Sequence, residues 1–187
     1  MYDKVISGEK PTLMNKSSLA QKAIRDLDKL AHKLKDIGKV TVEGVVESKT
    51  GDLPIYSFLF GDDSKDKPTI LFVGGVHGLE IIGTQILISQ LQTLRALLSW
   101  DDLFWRQLEN VRLAFYPCAN PAGLMKCTRS NGNGIDLMRN APVEADGVSP
   151  LALYSGHRLG SYLPWFRGPK DSDMAYENQC LKRFKRA

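Results

Sequence analysis

The chain has 187 residues, 43% of them hydrophobic and 25% charged. This suits one globular domain with an adequate core and excludes a disordered or fibrous chain. The net charge of +4 comes without a long Lys/Arg tract. The basic end (Lys182, Arg183, Lys185, Arg186) is too short for a nucleic-acid surface and reads as a solvated helix face. No stretch is long and apolar enough to span a membrane, and the first residues lack the apolar region of a signal peptide. The expectation is a soluble, cytoplasmic protein with no nucleic-acid or membrane partner.

Residues 1–16 read as a flexible N-terminal arm and 17–187 as one domain. "SSLAQKAIRDLDKLAHKLKDIG" places Leu19, Ala23, Leu27, Leu30, Leu34 and Ile37 at helical spacing, with Ser17 or Ser18 as cap and Gly38 as terminator. His32 falls among lysines and reads as an exposed polar residue. "KVTVEGVVES" and "LPIYSFLFG" read as strands joined by the turn chemistry of "KTGD". "TILFVGG" is a continuous apolar run, which suits a strand buried on both faces. A long helix, "EIIGTQILISQLQTLRALL", follows, then a shorter one in "WDDLFWRQLEN" capped by Asp101 or Asp102, then a further buried strand, "VRLAFYPCA". A hairpin feeding a β–helix–β unit predicts an α/β fold: a mixed sheet with "TILFVGG" and "VRLAFYPCA" as adjacent or near-adjacent inner strands and helices on both faces. From Asn120 to Pro169 the chain is rich in Gly, Asn and Pro, and a long irregular stretch in a compact domain is usually functional.

Cys118, Cys127 and Cys180 are odd in number and form no C-x-x-C pair, so they read as reduced residues in or near the core. The chemistry sits elsewhere. In open α/β sheets, ligands bind beyond the carboxyl ends of the strands. "GGVHGLE" lies at such an end, and its His77 and Glu80 could meet on one cation. The same residues could equally serve a backbone hydrogen bond and the dipole of the following helix. A second stretch, "NPAGLMKCTRSNGNGIDLMRN", follows the next buried strand. Its Arg129 and Arg139 could bind a carboxylate or stabilise an oxyanion. The alternative there is a glycine-rich hairpin in which Asp136 pairs an arginine.

Taken in order, "GGVHGLE", "NPAG", "TRSN", "GIDLMRN" and "FRGP" resemble the zinc carboxypeptidases of the M14 metallopeptidase family, over about residues 70–180. The resemblance implies the zinc carboxypeptidase/phosphorylase-like fold, a Zn2+ cofactor held by His77 and Glu80, an oxyanion-stabilising Arg129, and Arg139 with Asn140 in the substrate-gripping motif. Met138 stands where the family has an asparagine and cannot donate a hydrogen bond, which points to an atypical branch with altered carboxylate recognition. The family's third zinc ligand and its general base lie later than any matching residue here. His157 precedes "FRGP" and is not expected to be that ligand, and residues 173–184 look like the helix before the strand that would carry it. The chain thus looks like the front portion of the domain, incomplete at its C-terminus. The implied function is hydrolysis of a peptide or amide bond by metal-activated water. The alternatives are a related deacylase acting on N-acyl amino acids, and a non-catalytic relative.

Overall fold

The computed structural model describes residues 15–48, 51–62, 64, 66–141, 164–169 and 174–185. Of the arm expected over residues 1–16, residues 1–14 lie outside the described residues, as does His157, while Asn15 and Lys16 belong to the start of the first helix. In chain order the elements are α1 (Lys16–Leu34), β1 (Lys39–Val46), β2 (Leu53–Phe60), β3 (Thr69–Val73), α2 (Ile81–Leu98), α3 (Asp102–Gln107), β4 (Arg112–Tyr116), α4 (Pro121–Lys126) and α5 (Tyr176–Phe184).

The apolar stripe of α1 buries Ala23, Leu27, Leu30 and Leu34 as the spacing predicts, whereas Leu19 and Ile37 are half-buried and Ala20 and Ala31 are buried beside the stripe. Its cap is Asn15, whose side chain accepts from the Ser18 N–H at 2.7 Å. The helix therefore starts before both predicted serines, because the Asn15 carboxamide oxygen already satisfies an orphan N–H of the first turn. His32 is exposed. Asp101 caps α3, its carboxylate accepting from the Phe104 N–H at 3.0 Å.

The four strands form one mixed sheet in the order β1-β2-β4-β3. β1 and β4 flank β2 antiparallel, and β3 runs parallel to β4 with Phe72 opposite Phe115. The two apolar runs are thus neighbours, and α2 is the crossover between them. Along β2, Phe58 and Phe60 face the main core with Leu27, Leu34, Leu91 and Phe115, covered by α1 and α2. Ile55 faces the opposite side, where Tyr116, Ala119 and Cys180 of α5 close a second, smaller cluster. Helices therefore lie on both faces. Phe115 of β4 binds its two neighbouring strands together, stacking on Phe72 of β3 at 5.0 Å between ring centroids and meeting Phe60 of β2 edge-on at 6.0 Å.

One expectation is corrected. β3 is not buried on both faces: it is the last strand of the described sheet, and Thr69, Ile70 and Val73 are exposed. An apolar run of this length fits a doubly covered strand and a half-covered one equally well. Here only Phe72 faces a filled core.

The division between core and surface is testable. Phe58 is fully buried, whereas Trp100 is 72% exposed. In urea unfolding, Phe58→Ala is expected to cost about 3–5 kcal/mol, and Trp100→Ala to stay within about 0.5 kcal/mol of the parent.

Candidate functional site

The parallel β3–β4 ladder continues past the strand ends. The Gly74 N–H donates to the Tyr116 carbonyl, the Ala119 N–H to that of Gly74, and the Asn120 N–H to that of Gly75, at 2.9–3.0 Å. Two loops therefore leave the sheet side by side, one carrying His77 and Glu80, the other leading into α4. Gly75 takes φ +62°, a left-handed conformation that turns the first loop away from the strand. Gly78 packs so closely on α4 that a Cβ would overlap the Gly123 carbonyl group.

Asn120 is the joint. Fully buried, it caps α4 by accepting from the Gly123 N–H at 2.8 Å, while its Nδ2 donates to the Val76 carbonyl at 3.2 Å. α4 falls within the stretch expected to be irregular. The signal for it was present in Asn120-Pro121, a cap residue followed by proline at the first helical position. Beyond α4, Cys127 adopts a left-handed φ of 53°, turning the chain into the Arg129 loop. The Thr128 carbonyl then accepts from the Leu79 N–H at 3.0 Å, joining that loop to the histidine turn.

His77 is buried and Glu80 is more than half exposed. The His77 Nδ1 lies 3.1 Å from Glu80 Oε1, and its Nε2 lies 3.3 Å from Asp136 Oδ1. Asp136 has no solvent exposure. Its Oδ1 also accepts from the N–H groups of Met138 at 3.0 Å and Arg139 at 3.4 Å, and its Oδ2 accepts from Arg129 Nε at 2.7 Å. Asp136 is the residue that the sequence reading named only as an arginine's partner. It does pair Arg129, and it also holds the histidine.

The donor chemistry of this ring can be worked out. With Nε2–H donated to Asp136, the neutral imidazole turns its Nδ1 lone pair toward the Glu80 carboxylate. Two acceptors 3.1 Å apart repel unless a proton or a cation lies between them. An imidazole nitrogen and a carboxylate oxygen are donors that zinc accepts, and a carboxylate behind the ring fixes its tautomer as in metal-bound histidines. The pair therefore fits a divalent metal as part of its ligand set. Among the described residues, no group of three or more His, Cys, Asp or Glu side chains could hold a metal ion.

Arg129 and Arg139 both adjoin Asp136, one through its side chain and the other through its main chain. The Arg129 guanidinium also sits 5.0 Å from the centre of the Trp165 ring. The Arg139 Nε is buried and has no hydrogen-bond partner among the described residues. The Asn140 amide is engaged at both ends. Its Nδ2 donates to the Arg167 carbonyl at 2.9 Å, and its Oδ1 accepts from the Ala175 N–H at 2.6 Å and from Asn178 Nδ2 at 3.3 Å. In this arrangement it fastens the later segments to the loop instead of presenting a free amide. The Met138 side chain is half exposed.

The family model described as zinc carboxypeptidase (peptidase M14) matches residues 27–155, more than two thirds of the sequence, and the chain belongs to that family. Carboxypeptidase SOL1 of Arabidopsis thaliana is 29% identical over 128 residues, covering 65% of this chain and 24% of SOL1. The fold is also that of solved members. A carboxypeptidase A from Helicoverpa armigera aligns with TM-score 0.61 at 19% identity, over 84% of this chain and 39% of its own. Thrombin-activatable fibrinolysis inhibitor aligns with TM-score 0.62 at 17% identity, over 86% and 41%. The chain thus spans well under half the length of these relatives. No helix among the described residues is long and apolar enough to cross a membrane.

The contact of Gly78 with α4 generates a prediction. Gly78→Ala forces the histidine turn off Gly123, so it should destabilise the protein by at least about 1–3 kcal/mol, the usual range for overpacking. Gly132→Ala, where a Cβ meets only the Ala122 methyl at 3.5 Å, should cost less in the same denaturation assay.

Proposed function

We propose that this chain contributes the metal-binding and oxyanion-binding side of a zinc-dependent peptidase site that hydrolyses a peptide bond near a free carboxylate. One observation carries the reading: a buried imidazole has a carboxylate on each nitrogen, one fully buried behind it and one open to solvent in front. A histidine that only capped a turn would need neither. Membership of the zinc carboxypeptidase family supports the same assignment.

His77 Nδ1 and Glu80 would hold the zinc. When bound, the metal would supply Lewis acidity toward a carbonyl and acidify a water molecule. The chain's own groups do the rest. Asp136 keeps the His77 Nε2 protonated and its Nδ1 free to ligate. Arg129 spends its Nε on Asp136, which leaves its terminal N–H groups for the substrate carbonyl, where negative charge develops. Arg139 carries a buried Nε without a partner among the described residues, a donor suited to an anion such as a substrate carboxylate. With Met138 in the neighbouring place and the Asn140 amide occupied, the carboxylate would be gripped by Arg139 without the customary asparagine. An N-acyl amino acid offers the same two groups, a carbonyl and a carboxylate, so the two substrate classes should be assayed side by side.

Zinc titration by calorimetry tests the metal assignment. His77→Ala should abolish binding at this site, and Asp136→Asn should weaken it about 10–100-fold. Undiminished 1:1 binding by His77→Ala would place the metal elsewhere.

The arginines separate kinetically in the active protein. Arg129→Ala should lower kcat/KM by about 10²-fold or more. Arg139→Ala should chiefly raise KM, and the rise should shrink when the substrate's C-terminus is amidated. An unchanged rate for Arg129→Ala would remove its assigned role.

A further inference from the structure

Arg129 is held on two sides. Its Nε donates to the buried Asp136 carboxylate at 2.7 Å, and its guanidinium carbon lies 5.0 Å from the centre of the Trp165 ring. A hydrogen bond at one edge fixes where the group is attached, but leaves it free to twist about that bond. An aromatic ring against the group removes this freedom, because a guanidinium is attracted to the ring's negative face and packs against it. Together the two contacts hold the guanidinium from two sides.

Trp165 is itself fixed by the loop that carries the arginine. On one side of it, the Pro164 carbonyl accepts from Ser130 Oγ at 3.4 Å. On the other, the Phe166 N–H donates to the Gly134 carbonyl at 3.0 Å and the Phe166 carbonyl accepts from the Asp136 N–H at 2.8 Å. These bonds make the Ile135–Phe166 bridge, a two-residue parallel pairing outside the main sheet. The Arg167 carbonyl accepts from Asn140 Nδ2 at 2.9 Å. The main chain around Trp165 is therefore tied to residues 130, 134, 136 and 140, the same turn that places Arg129 and Asp136. The indole is delivered to the guanidinium by backbone hydrogen bonds and does not depend on a chance surface contact.

We propose that Trp165 is a positioning residue: its indole holds the Arg129 guanidinium in the plane that Asp136 requires and aims the terminal N–H groups outward at the substrate carbonyl. The inference rests on the oxyanion role of Arg129 for its catalytic consequence, but the stack itself is independent of that role. Side-chain exposure fits this division, with Asp136 fully buried behind the arginine and Arg129 itself 25% exposed. Trp165 acts through Arg129 and is given no contact with substrate. Nothing in the sequence spacing announces it, since the two residues lie 36 positions apart and meet only because 164–167 pairs with 134–140.

Two measurements test the proposal and keep its failure separate from that of the peptidase reading. The first needs no activity. The Arg129 Nε–H resonance of the labelled 187-residue chain, assigned with Arg129→Lys, should show a ring-current shift. That shift should vanish in Trp165→Leu and be largely restored in Trp165→Phe. A resonance that stays in place in a folded Trp165→Leu overturns the stack, whatever the protein hydrolyses. The second uses the active zinc-loaded protein and a peptide substrate. Trp165→Leu should lower kcat about 10-fold with little change in KM, Trp165→Phe should recover most of the rate, and Trp165→Leu should cost almost nothing further in an Arg129→Ala background. Additive losses in that double variant, or an unchanged kcat while Arg129→Ala is slow, overturn the positioning role and leave the peptidase reading standing. If Arg129→Ala is as fast as the parent, the oxyanion reading fails, and with it the catalytic part of the proposal. The resonance then decides the structural part alone. If Trp165→Leu fails to fold, Trp165→Met, which also removes the aromatic ring, takes its place in both tests with the same expected and overturning results.

Discussion

The Asp136 carboxylate is removed from solvent entirely, and much of the surrounding loop structure is what makes that tolerable. The idealised cost of moving such an ion from water into a dry interior is on the order of 20 kcal/mol, and several kcal/mol persist after relaxation. An ion in that position is stable only if its oxygens are saturated with donors. Here four donors converge on it: His77 Nε2, Arg129 Nε, and the N–H groups of Met138 and Arg139. They come from the turn after β3, the loop after α4, and Asp136's own turn. Loss of any one leaves a buried charge short of a partner, so the three segments are held to a common geometry by electrostatics as much as by packing.

The sheet supplies the platform. Since β3 and β4 are parallel neighbours, both chains leave it at the same end, and the ladder extends through Gly74 and Asn120 before they part. Asn120 then ties the histidine turn to α4, and Gly78 lets the two backbones approach within what a side chain would forbid. The site is thus built from loops, but loops hydrogen-bonded to the ends of the parallel strands. This is how irregular chain can hold reactive groups to a fraction of an ångström.

On the proposed assignment, His77, Glu80, Arg129 and Arg139 fill the places that the zinc carboxypeptidase resemblance implies, with Met138 in place of one polar residue. The structure adds that Asn140 holds segments 167 and 175 together, so the residues flanking Arg139 contribute an apolar side chain on one side and a structural clamp on the other. On that assignment, Arg139 would grip a substrate carboxylate without help from the Asn140 amide.

Much of the fold is legible in the sequence, because its signals are local. The 3.6-residue stripe of α1, the apolar runs of β3 and β4 and the cap at Asp101 each depend on neighbours a few positions away. Resemblance to the family carried the recognition of His77, Glu80 and Arg129 as a set, since H-x-x-E alone has an ordinary explanation. Even so, sequence placed the helix start too late, missed α4 despite Asn120-Pro121, and gave β3 two covered faces. Which face of an apolar run is covered depends on what packs there, and periodicity does not carry that information. The tertiary structure alone decided the chemistry around the histidine. Asp136 lies 59 positions from His77 in sequence, and Trp165 lies 36 beyond Arg129. No spacing rule links such pairs. They meet because a buried carboxylate must collect its donors from wherever the folded chain brings them.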